Sequence, residues 1–145
     1  MKTPIAILFL LSALFFAGCA STKPQPVKPQ PAKPGTHAYT PAKGSAERAA
    51  ILAGVREALA KQDPKKVVLI VASLKVHDGW AWIQVNPQSP DGKNHYESQS
   101  GLLREKAKKW TLLEWMPAED GTDYKKYFQN LKAKYPAAPA DIFPK

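Results

Sequence analysis

The chain has 145 residues and a formal charge of +9, from 21 basic and 12 acidic side chains. Its single cysteine excludes an internal disulfide, and the length suits one domain with flanking segments. No P-loop, Rossmann, Gly-x-Ser-x-Gly or His-Glu-x-x-His pattern occurs, and the three histidines lack the close spacing of zinc ligands, so no cofactor or metal is expected.

The first element is an apolar run. Met1-Lys2-Thr3 carries one positive charge, Ile5 to Phe16 is apolar apart from Ser12, and the small residues Ala17 and Gly18 lead to Cys19. This is the n-region, h-region and small-residue layout of a secretory signal, and it is shorter than the roughly 20 residues that a spanning helix needs. The stretch Phe16-Ala17-Gly18-Cys19 resembles the lipobox of bacterial lipoproteins, with Phe16 where Leu is usual. The resemblance implies that residues 1–18 are removed and that Cys19 becomes a lipidated, acylated N-terminus. Several chains on one residue give lasting membrane attachment where a single chain would not. Ala20, rather than Asp, after the cysteine implies the inner leaflet of the outer membrane, facing the periplasm.

Residues 19–44 read as a tether. Ser21 to Gly44 holds six of the fourteen prolines and four lysines, with no acid. Such sequence favours extended, disordered polyproline II, reaching on the order of 70 Å at about 3.1 Å per residue. It serves as a spacer or as a recognition segment for a proline-binding partner or the anionic cell wall; Lys-Pro repeats do not separate the two. The tether carries +4 and residues 45–145 another +4. With no nucleic-acid motif in the chain, nucleic acid is not the expected partner. The excess lysines either are solvated surface or face anionic lipid headgroups and wall polymers.

Residues 45–145 are one domain. Ser45 caps a helix in which Ile51, Leu52, Val55 and Leu59 recur at helical spacing. Ala50, Gly54 and Ala58 form a line of small residues, which lets that helix lie close to a flat surface. Asp63-Pro64 ends it. Lys66–Val76 is a β-branched apolar strand, Asp78-Gly79 a hairpin turn, and Trp80–Val85 the returning strand. A loop over Asn86–Lys93 follows, then strands at Tyr96–Glu105 and Trp110–Met116 joined by Ala107-Lys108-Lys109. Glu119, Asp120 and Asp123 start a second helix with Tyr124, Tyr127, Phe128, Leu131 and Tyr135 on one face. Pro136, Pro139 and Pro144 make an extended tail that carries Ile142 and Phe143.

The expected fold is therefore α+β: an N-terminal helix on a four-stranded antiparallel sheet, then a C-terminal helix and tail. Its element order resembles a minimal cystatin-like or NTF2-like fold, without the cystatin inhibitory signature. Through KVHDGWAWIQVNP and YPAAPADIFP it is also similar to uncharacterised small periplasmic proteins of bacteria.

A two-residue turn at Asp78-Gly79 pairs His77 with Trp80, Val76 with Ala81, Lys75 with Trp82, Leu74 with Ile83 and Ser73 with Gln84. Alternation then places Val68, Ile70, Ala72, Leu74, Val76, Ala81, Ile83 and Val85 on one wholly apolar face, expected as core. The opposite face carries Val67, Leu69, Val71, Ser73, Lys75, His77, Trp80, Trp82 and Gln84. Two arrangements satisfy that second face. In one, the C-terminal helix or the Ile142-Phe143 tail buries Trp80 and Trp82. In the other, the turn end stays open as a binding groove lined by Lys75, His77, Trp80 and Trp82. His77 and His95 lie near Asp78 and Asp91, and a His-Asp pair can orient a base; solvated turn residues are the ordinary reading.

The function expected from these features is that of a lipid-anchored periplasmic binding or assembly-accessory protein. It would be held to the membrane through Cys19 and would face an envelope protein or peptidoglycan. A small NTF2-like hydrolase or isomerase with a pocket between helix and sheet, or a periplasmic inhibitor or immunity protein, are the alternatives.

Overall fold

The computed structural model describes residues 35–63 and 65–145. The signal run, Cys19 and the tether as far as Pro34 lie outside the described residues. The fold is α+β, in the order α1 (Ala46–Gln62), β1 (Val68–His77), β2 (Trp80–Gln88), β3 (Gln99–Lys106), β4 (Lys109–Trp115), α2 (Tyr124–Lys134) and a 3-10 turn at Ala140–Ile142. The four strands form one antiparallel meander in the order β1-β2-β3-β4. Helix α1 covers one face of the sheet, and α2 with the tail covers the other. No helix among the described residues is long and apolar enough to cross a membrane.

Helix α1 begins where Ser45 Oγ accepts the Arg48 amide at 3.2 Å, and it ends where the Asp63 amide donates to Leu59 O. Its inner face buries Ile51, Gly54 and Val55. The line of small residues has the expected purpose: a Cβ added at Gly54 would lie 2.5 Å from the backbone oxygen of Trp110. The helix therefore lies almost in backbone contact with β4. Between them sits the first core, built from Ile51, Val55, Leu74, Val76, Ile83, Leu103 and Trp110.

The β1–β2 hairpin has the expected register from His77↔Trp80 to Ser73↔Gln84. Asp78 and Gly79 have φ of 48° and 71°, the left-handed pair that a two-residue turn between right-twisted strands requires. Beyond Ser73 the expectation fails. Val71 pairs with Val85, so Ala72 is an extra residue and forms a β-bulge. The bulge reverses which side chains face inward. Leu69 is buried at 8 % exposure, while Val68 and Ile70, expected as core, are 40 % and 45 % exposed, and Ala72 is exposed as well.

The β3–β4 turn uses two residues, Ala107 and Lys108, both at positive φ. A second irregularity at Leu102/Leu103 shifts the β3–β4 register and leaves Leu113 exposed. Helix α2 is capped by Asp123, whose carboxylate accepts the Lys126 amide at 3.0 Å. The residues after α2 turn back through the 3-10 segment and bury Ile142 and Phe143 against the sheet.

The ordered fold starts before Ser45. Tyr39 forms an antiparallel bridge with Val76 through two backbone hydrogen bonds of 3.0 and 2.8 Å. Thr40 Oγ1 donates to Leu74 O, and Tyr39 Oη donates to Glu47, both at 2.7 Å. The Tyr39 hydroxyl is pushed well above its ordinary pKa, first by burial and then by that bond to Glu47. Residues 35–44, read from composition as tether, thus dress the end of the sheet.

Candidate functional site

The face carrying Lys75, His77, Trp80 and Trp82 is assembled by β1 and β2 as the alternation required, but it is covered. Trp80 is 8 % and Trp82 4 % exposed. Trp82 packs edge-on against Phe128 of α2 at 5.3 Å and against Phe143 of the tail at 5.6 Å. Trp80 meets Tyr135 at 6.0 Å and carries the Arg104 guanidinium 4.7 Å above its ring. The aromatic stripe of α2 and the Ile142-Phe143 pair supply the cover, so no tryptophan-lined groove opens at the turn end. The two indoles are a second core, joined by Leu102, Leu131 and Ile142. Of the four residues, Lys75 and His77 keep partial access to solvent.

His77 has a partner that sequence reasoning missed. Its Nδ1 lies 2.8 Å from Asp141 Oδ1, while the adjacent Asp78 is a looser neighbour at 3.6 Å from Nε2. The Asp141 bond holds the imidazolium above its ordinary pKa against an opposing effect of desolvation, and His77 in turn holds Asp141 below the usual carboxylate range. The other oxygen of Asp141 accepts the Ala38 amide at 2.7 Å. A carboxylate from the tail, an imidazole from the hairpin and the backbone of the N-terminal segment therefore meet at one point. With Nδ1 bonded to Asp141, the arrangement is a clasp between the tail, the hairpin tip and the N-terminal segment. The Ile142-Phe143 pair marked the tail as a candidate cover for the tryptophans, but nothing in the sequence placed Asp141 at the hairpin tip.

His95 does not pair with Asp91. Instead Asp91 accepts the Ser89 hydroxyl and the Lys93 amide, which closes the β2–β3 loop on itself, and His95 makes a backbone bridge to Gln88. No group of three or more His, Cys, Asp or Glu side chains among the described residues is placed to hold a metal.

With both sheet faces filled by core, the surface offers concavities at the rim. One, of about 250 Å³, lies between the end of α1 and the β2–β3 loop and is lined by Leu59, Val67, Pro87 and the exposed Tyr96 together with Asp63 and Glu97. A wider one, of about 510 Å³, runs along the outer edge of β1 beside the N-terminal segment. Comparison with protein-family models, with curated proteins and with solved structures finds no match to the chain.

Proposed function

We propose that the chain is a lipid-anchored envelope protein, attached through Cys19 to the periplasmic face of the outer membrane, whose domain serves as a binding or assembly-accessory module. The observation that carries this reading is the Phe16-Ala17-Gly18-Cys19 stretch at the end of an apolar run, directly before a Pro- and Lys-rich segment. The domain is consistent with the role. Its two sheet faces are occupied by α1 and by α2 with the tail, and what it offers to a partner are rim clefts and charged edges. The Pro/Lys segment would act as the spacer that presents those edges away from the bilayer.

Cys19→Ser should move the protein from the membrane fraction to the soluble periplasm, and mass spectrometry of the wild type should find fatty acid on the N-terminal cysteine. A mutant that still sediments with outer membranes, together with a wild type free of fatty acid, would overturn the anchor.

A further inference from the structure

We propose that the outer edge of β1 is a docking site for an acidic peptide segment in extended conformation, held by strand pairing and by Lys43, Arg48 and Lys75. This rests on the reading of the domain as a binding module and names the class of its partner.

Strand β1 stands at the edge of the sheet. An edge strand presents backbone N–H and C=O groups without partners, a template for one more strand. The end of this edge nearest the turn is closed: Tyr39 pairs with Val76, and Thr40 covers Leu74 O. Among the described residues, no backbone hydrogen bond reaches the outer edge from Val68 to Ser73. The cleft of about 510 Å³ is walled by Val71 to Lys75 on one side and by Thr40 to Lys43 on the other, and it opens onto the unpaired edge at Val71 to Ser73. That shape fits an extended chain better than a compact ion. The N-terminal segment has already made the same kind of addition, so a partner strand would continue an existing edge.

Charge identifies the occupant. Lys43, Arg48 and Lys75 line the cleft. All twelve acidic side chains of the protein lie within the described residues, and none forms an ion pair with these three cations. Glu47, the acid next to Arg48, is occupied by the Tyr39 hydroxyl. Lys75 neighbours Trp82 on the α2 side of the sheet, whereas Arg48 belongs to α1 on the opposite side. An incoming strand would thus meet a cation on each of its faces. Pairing with a second copy would oppose these cations to their own kind. An acidic strand gains from the same charges that repel a copy.

The test uses the full chain in non-ionic detergent and a fluorescein-labelled nonapeptide of glutamate and threonine, read by fluorescence anisotropy. Saturable binding is expected, weakened at least about tenfold in Lys43→Glu/Lys75→Glu, and Lys43→Glu alone, on the exposed N-terminal segment, should weaken it in the same direction. Far-UV circular dichroism of the double variant should match the wild type. The same peptide N-methylated at alternate amides should not bind, because strand pairing needs those donors. Equal binding of the methylated peptide would leave only a charge contact and overturn strand addition. No peptide binding, with Lys43- and Lys75-dependent binding to phosphatidylglycerol-doped micelles instead, would assign the cations to a lipid surface. A dimer that excludes the peptide would assign the edge to a second copy. Either result overturns the proposal, and neither bears on Cys19, whose lipidation is read by fractionation and mass.

Discussion

Gly54 shows how much a single absent side chain organises. It lets α1 approach β4 until only backbone separates them, and a Cβ there would sit 2.5 Å from Trp110 O, inside any permitted contact. Neither partner is free to give way: the helix is fixed by Ile51 and Val55, which are fully buried, and Trp110 is 3 % exposed. Gly54→Ala should therefore destabilise the domain by about 1–3 kcal/mol, although alanine is the better helix former. A thermal or denaturant melt measures it; an unchanged or raised midpoint would show that the helix rides higher than described. This residue was legible as one of three small residues spaced by four. Asp78-Gly79 was legible too, because the turn needs positive φ and the pair supplies it. Ala107-Lys108 adopts positive φ in both residues without glycine or asparagine, and no local preference would have reported that. Its short turn is imposed by the pairing of β3 with β4.

The turn at Asp78-Gly79 determined the β1–β2 register as far as Ser73, and the structure agrees residue by residue. The phase was lost at Ala72 because Val67-Val68-Leu69-Ile70-Val71 is apolar in both alternations, so hydrophobicity carries no information about which set points inward. Only the bulge decides. It turns Leu69 and Val71 toward α1 and leaves Val68 and Ile70 facing outward. The consequence is a pair of neighbours with opposite behaviour. Leu69→Ala should cost about 2–5 kcal/mol, whereas Ile70→Ala should stay within about 0.5 kcal/mol. Paired urea melts on the two variants check this, and a larger loss at Ile70 would place the bulge elsewhere in the strand. The element boundaries of β3 were the least legible: its expected first residues, Tyr96–Ser98, belong instead to the loop that Ser89 and Asp91 knit together.

The molecule as a whole is held at one end by the meeting of three segments remote in sequence: the N-terminal segment at Ala38, the hairpin tip at His77 and the tail at Asp141. Composition assigned the first to a tether and the last to an extended tail, since proline-rich sequence has no periodicity from which docking can be read. What brings them together is the burial of Ile142 and Phe143 over Trp82. The ion pair then gives this junction a pH dependence with a definite sign. His77 is raised in the folded state, so its contribution is complete below the ordinary histidine value of about 6.5 and is lost as pH rises through the raised value. Asp141 is lowered, so its contribution is present above the ordinary carboxyl value of about 3.9 and is lost as pH falls through the lowered one. The clasp is therefore fully formed from about pH 4 to about pH 6.5 and slackens in alkali. Asp141→Asn keeps an acceptor for the Ala38 amide but removes the charge. The loss of melting temperature on that substitution should be larger at pH 5.5 than at pH 8.5, and in the wild type the Ala38 and Tyr39 amides should lose exchange protection as pH rises through the histidine titration. A stability difference between wild type and Asp141→Asn that is flat across this range would show that the junction is held by the buried tail alone, with the His77–Asp141 pair as a passenger on its surface.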